Sequence, residues 1–176
     1  MKLFSENIED LRTLYISNLK KALDMEQKIT KALPTMIEKS TDRQLATAFT
    51  NHLEETRGHV AKVESLLRDD TGDASTSTCK VIGSLVTEAE DGIKDAGDDS
   101  IRDITLIAAA QQVEHHEMAV YGTLRNWAEL LGLTEAADTL ESILEEEKKA
   151  DELLTSISDT VNTTATHTEP AYTTVR

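Results

Sequence analysis

Glu26, Glu114, Glu117, Glu147 and Asp151 stand where a helical sequence would place leucine. Glu26 falls inside the stripe Tyr15, Leu19, Ala22, Ile29, Leu33, Met36, whose alternating steps of four and three line one face of an α-helix. Glu114 and Glu117 interrupt Ile107, Ala110, Tyr121, Leu124, Ala128, Leu131, and Glu147 and Asp151 interrupt Leu140, Leu144, Leu154. A further segment offers His52, Glu55 and His59 at steps of three and four, along the edge of its own apolar stripe.

Burying an unpaired carboxylate costs several kcal/mol, and grouping several adds a repulsion that water cannot screen. The inward stripes contain almost no lysine or arginine, so bound cations are the expected neutraliser. Glutamates from separate helices, with paired ligands one turn apart, build di-iron and di-manganese sites in helical bundles. The expected site is therefore two iron or manganese ions among Glu26, His52, Glu55, His59, Glu114, Glu117, Glu147 and Asp151. His52 and His59 are alternatives for one role, and Glu146 replaces Glu147 if its helix is rotated by one position. The plainer alternative for each acid is a solvated face, and Asp151 is the one closest to an ordinary edge residue. Tyr15 and Tyr121 read as core packing, with radical or proton chemistry the sharper option. His115 and His116 read as surface residues. Gly58 and Gly122, each costing about 1 kcal/mol relative to alanine in mid-helix, read as places where a neighbour or ligand comes close.

Four long helical segments must position these residues, at about 5–38, 42–69, 99–131 and 134–158. Ser5 is the expected cap of the first, Pro34 should kink or interrupt its last turns, and Thr41 or Asp42 can cap the second. Residues 79–95 read as a shorter amphipathic helix carrying Ile82, Leu85, Val86, Ala89 and Ile93 on one side. The first two long segments, and the last two, are joined by a few residues, so each pair should be an antiparallel hairpin, with a long connection crossing between them. The expected fold is all-α: a ferritin-like four-helix bundle with a long crossover containing an extra short helix. HLEE and ILEEE, at matching places in the two hairpins, hint at an internal duplication. The bundle should occupy 1–158, followed by a disordered Thr-rich tail at 159–176 that includes His167.

Composition agrees with this reading. The 176 residues include 33 Asp and Glu against 18 Lys and Arg, a net charge of -15 that opposes nucleic-acid binding. Most of these acids belong to solvated surface, and their excess is a weak hint of a salt-rich cytoplasm. Aromatic residues make up 3% and there are two prolines, which suits an aliphatic helical chain. A single cysteine, Cys79, excludes an intrachain disulfide and reads as a plain buried thiol. MKLFSENIED has no apolar leader pattern and no stretch is long and apolar enough for a bilayer, so the expectation is a soluble, cytoplasmic protein without membrane contact.

The segments LYISNLKKALDMEQKITKALPTM, AFTNHLEETRGHV, LIAAAQQVEHHEMAVYGTLRNWAELLG and TLESILEEEKKADELL resemble the YciE/YciF family of ferritin-like proteins, formerly a domain of unknown function. The similarity covers about 5–158, and VEHHEMAVYGTL is its most specific part. The family is similar in its bundle to rubrerythrin, manganese catalase and ferritin, and its members are associated with stress responses and form dimers. The resemblance implies a homodimer and supports Glu26, His52 with Glu55, Glu114 with Glu117, and Glu147 with Asp151 as ligands. The chain departs from the usual ExxH spacing: Glu55 has Gly58 at i+3 and Glu147 has Ala150. The expectation is a di-metal carboxylate stress protein that reacts with peroxide or dioxygen, its electrons coming from the metals. A non-catalytic, metal-stabilised structural or protein-interaction bundle is the alternative.

Overall fold

Asp10 starts the first helix of the computed structural model, which describes residues 8–165. Its carboxylate accepts from the backbone N–H and the hydroxyl of Thr13, both at 2.7 Å, and α1 runs from there over Leu11–Lys39. Ser5, the expected cap, lies outside the described residues. Pro34 does not interrupt α1: the backbone bond it removes lies near the C-terminus, where Ser40 already closes the helix onto the Met36 carbonyl. Asp42 caps α2 (Arg43–Thr71) by accepting from the N–H groups of Gln44 and Leu45. The helix ends at Gly72, whose φ of 78° is a conformation other residues adopt at a cost.

The crossover carries α3 (Lys80–Asp95), followed by α4 (Asp99–Leu130), capped by Asp98, and α5 (Thr134–Ala165). Helices α1 and α2 form one hairpin and α4 and α5 the other; α2 packs on α5, α1 packs on α4, and α3 lies across α1 and α4. No strand occurs among the described residues. This is the expected all-α, ferritin-like four-helix bundle with a short helix in its long crossover. Helix α5 continues through 159–165, past the expected boundary at 158, because Ile157 and Val161 extend its apolar face and are buried. The rest of the expected tail, 166–176 with His167, lies outside the described residues.

Leu19, Leu23, Leu45, Leu67, Leu106, Leu124, Leu140 and Ile143 fill the interior above and below the acidic layer. Burying each such side chain stabilises by roughly 2 kcal/mol, and this packing fixes the rotation of every helix. One buried acid belongs to the frame. Asp103 accepts from the Thr41 N–H (2.9 Å), the Thr41 hydroxyl (2.6 Å) and the Asp42 N–H (2.8 Å), which ties the α1–α2 turn to α4. Neither mid-helix glycine admits a close neighbour: a Cβ at Gly58 would meet nothing within 4 Å, and one at Gly122 would sit 3.9 Å from Leu144. No described helix is long and apolar enough to cross a membrane.

Candidate metal centre

Six side chains from four helices converge in mid-bundle: Glu26 of α1, His52 and His59 of α2, Glu114 and Glu117 of α4, and Glu147 of α5. None is more than 7% exposed, and Glu26, His59, Glu117 and Glu147 are fully shielded. They form two overlapping groups, Glu26–His59–Glu147 and His52–Glu114–Glu117–Glu147, with the donor atoms of each group within 4.8 Å of one another. Glu147 belongs to both. His59 Nδ1 lies 3.0 Å from a Glu147 oxygen and 3.8 Å from one of Glu26, while His52 Nε2 lies 3.4 Å from Glu114.

Local helix geometry explains the convergence. His52 and His59 are seven residues apart, about two turns, so both imidazoles point the same way. Thr56 between them is buried and returns its hydroxyl to the His52 carbonyl at 2.7 Å, which keeps its own polarity out of the cluster. Glu114 and Glu117 are one turn apart on α4, flanked by the buried Ala110 and Tyr121.

The remaining expected residues lie outside this group. Glu55 falls on the flank of α2, its side chain 51% exposed and 3.9 Å from His52 Nδ1, because Phe49, His52, Thr56, His59 and Val63 take the inner face. Asp151 is displaced likewise, since the buried stripe of α5 runs through Ile143, Glu147, Leu154 and Ile157. It is half-buried at the edge of the bundle, 3.3 Å from His115 Nε2 and 3.5 Å from Gln111. Glu146 does not replace Glu147; it accepts from His59 Nε2 at 2.6 Å and from Lys62 at 3.0 and 3.1 Å. The two histidines expected to compete are both inside. His115 is exposed, and His116 is half-buried beside the buried Cys79, 3.6 Å from its sulfur. Thr56 and Asp103 escaped the sequence reading, although Asp103 continues the spacing of Leu106, Ile107 and Ala110.

Whether the cluster suits a metal pair can be judged from its unmet bonding. Among the described residues, eleven buried side-chain N and O atoms lack a hydrogen-bond partner, and nine of them belong to these six residues, including both oxygens of Glu117 and of Glu147. Buried polar groups are nearly always satisfied, so such a concentration could be met by a ligand that accepts lone pairs. Four carboxylates and two imidazoles form the donor set of di-metal carboxylate bundles, and four negative charges equal the charge of two divalent ions. The usual distribution is altered: both histidines come from α2, and α4 supplies a pair of glutamates. The missing ExxH spacing thus goes with a different distribution of the same kinds of candidate donor over the helices.

Electrostatics support the fit. Burial, then the Glu147 charge, pushes Glu26 up to about 7 against the pull of His59. Burial lifts Glu114 to about 8, with Glu147 adding and His52 opposing. Glu117 rises well above the usual carboxylate range through burial and then Glu147, Glu26 and Glu114. Burial acts to lower both histidines, but the surrounding carboxylates outweigh it and raise each to about 9. Every one of these groups holds protons more tightly than in water, and divalent ions compete for the same lone pairs. The Tyr121 hydroxyl donates to Glu26, and its ring stands edge-on to His59 at 6.5 Å. An opening of about 210 Å³ between α2 and α5 leads past Glu55, Glu146 and Lys149 to His52 and Glu114.

The family described as a domain of unknown function, DUF892, matches residues 10–166. Protein YciF of Escherichia coli (strain K12) is 35% identical over 153 residues, which cover 86% of this chain and 92% of that protein. The crystal structure of that stress protein superposes with a TM-score of 0.84 at 33% identity, over 88% of this chain and 98% of the other. YcfI from Rhodopseudomonas palustris, for which a structural role has been suggested, superposes with a TM-score of 0.84 at 37% identity, over 87% and 98% of the two chains.

Proposed function

Because this chain belongs to the DUF892 family of YciF-type stress proteins, we propose that its buried cluster holds two divalent iron or manganese ions that react with a small oxidant. The observation that carries this reading is the set of nine unpartnered donor atoms on six shielded side chains. Glu26, His59 and Glu147 would hold one ion and His52, Glu114, Glu117 and Glu147 the other, Glu147 belonging to both groups. When bound, such a pair supplies electrons and Lewis acidity toward dioxygen or peroxide. The chain's own residues serve it in three ways. Glu146 accepts a hydrogen bond from His59 Nε2–H, leaving Nδ1 toward the cluster. Tyr121 holds its hydroxyl proton against Glu26. The bundle excludes bulk water from all four inner carboxylates. We place this chemistry in a homodimer, as the family resemblance implies, and in the cytoplasm, as the sequence reading expects.

Metal analysis of protein purified without chelator should give about two ions per chain. A chain that stays empty, with an unchanged melting temperature, after incubation with Fe(II) and with Mn(II) overturns the reading. The same depth of burial also favours a second role, in which the ions stabilise the bundle without turnover. That role agrees with the one suggested for the Rhodopseudomonas palustris relative. Consumption of peroxide or dioxygen by the loaded protein separates the two.

A further inference from the structure

A cavity of about 70 Å³ lies between α3 and the bundle, and its inner end is the metal centre. Ile29, Phe49, Val86 and Ala110 are among the apolar side chains from four helices that line it, and His52 and Glu114 close it inside. The exposed Lys31 and Glu90 stand at its outer edge. Side-chain packing normally eliminates such gaps, so its persistence needs a cause.

The cause is the way α3 is fastened. At its start, the Cys79 N–H donates to Asp24 at 2.7 Å, Lys28 donates to the Cys79 carbonyl at 3.0 Å, and Ile82 is fully buried. Near its end, Gly92 lets α3 approach α4 so closely that a Cβ there would lie 2.6 Å from Thr105 Cγ2. Between these points Leu85, Val86 and Ala89 are half-buried and line the cavity. Helix α3 is a cover pinned at both ends over a small apolar space.

Size and lining restrict what enters. Between its outer edge and the His52–Glu114 end the walls are apolar and do not offer the two to four polar partners that a water needs, and an apolar cavity of about 150 Å³ takes up xenon and similar molecules. Peroxide, with two O–H groups to satisfy, is suited instead to the opening beside Glu55, Glu146 and Lys149. We propose that the cavity under α3 binds dioxygen and delivers it to the His52–Glu114 side of the centre, while polar molecules use the opening between α2 and α5. This rests on the metal reading above.

Xenon-pressurised crystals test the binding without any reaction. Xenon should occupy the cavity in metal-loaded and chelator-treated protein alike. Ala89→Phe fills the cavity from the cover and Ala109→Leu from the opposite wall, so one reads the result if the other fails to fold. Either should abolish xenon occupancy, leave metal content unchanged, and slow oxidation of the Fe(II)-loaded protein by dioxygen at least about tenfold, with oxidation by peroxide within about twofold of wild type. Equal slowing with both oxidants, or no slowing with either, overturns the proposal. A loaded chain that takes up no xenon overturns it while the metal reading stands. A chain that holds xenon but binds neither iron nor manganese overturns the metal reading, and delivery with it.

Discussion

Asp103 and Glu117 are buried carboxylates on the same helix, about four turns apart, and their surroundings are opposite. Three hydrogen bonds from the α1–α2 turn surround Asp103, whereas neither oxygen of Glu117 has a partner and three further carboxylates face it. Burial of an acid is therefore not in itself a sign of a metal site; burial without satisfaction is. Asp103 fastens a corner of the bundle. Glu117 and its neighbours gather unpartnered donor atoms in the middle of the bundle, which a cation could satisfy.

The largest effect that separates the two regions should come from chelation. Ions that bind only the folded chain stabilise it by about 4 kcal/mol at a free concentration a thousand times Kd, and a chain of this size then melts on the order of 10 °C lower when they are removed. Calorimetry with and without chelator measures this. A melting temperature unmoved by chelator would place Glu117 with Asp103, as an acid satisfied without metal. The next effect is the exchange of the two acids. Asp103→Ala leaves two backbone N–H groups without their acceptor and should cost about 3 kcal/mol, whether or not metal is present. Glu117→Gln abolishes an ionisation that burial and the neighbouring carboxylates oppose, so it should raise the melting temperature of the chelated protein at alkaline pH, where Glu117 is driven to ionise, while reducing the metal retained on purification. The comparison collapses if both substitutions destabilise the chelated protein equally.

How far the sequence discloses these regions depends on the neighbours of each residue. Glu26, Glu114 and Glu117 are flanked by apolar residues one turn away on both sides, so their direction follows from helix geometry, and the structure places all three inside. On α2 the inner face is marked by few apolar residues, and Glu55 and His52 differ by a rotation that polar neighbours do not resolve. Counting two turns from His52 to His59 would have put both inside. On α5, Ile143 and Ile157 move the face away from Asp151. The frame acid Asp103 was hidden because its partners are a turn some 60 positions away, which no periodicity reveals.

Acidity acts on the centre in a known sense. In chelated protein Glu26 and Glu114 have folded-state values of about 7 and 8, above the ordinary 4.5. The folded chain thus binds more protons than the unfolded one between these limits, and stability falls as pH rises through them. His52 and His59, raised from 6.5 to about 9, contribute stability that is complete below 6.5 and lost by 9. All four run in one direction. The melting temperature of chelated protein should therefore decline steadily from pH 5 to 9, while metal uptake strengthens over the same range as protons leave the ligands. A chelated protein that gains stability toward pH 9 would mean that the cluster is not the dominant titrating region.

The smallest effects belong to the two acids just outside the centre, which contact different histidines at different depths. Glu146 accepts from His59 Nε2 at 2.6 Å and is itself held by Lys62, so it fixes the tautomer that leaves Nδ1 toward the cluster. Glu146→Gln should weaken metal binding by about tenfold or more, the usual consequence of removing the partner of a ligating histidine. Glu55 stands 3.9 Å from His52 Nδ1 with its side chain half in water, where solvent can take over its part. Glu55→Gln should change affinity by no more than about threefold. Titration of each variant with Mn(II), which does not oxidise readily during the measurement, gives both numbers. Equal losses would mean that Glu55 reaches a metal directly, as its spacing from His52 suggested, and that the inner set extends beyond the six shielded side chains.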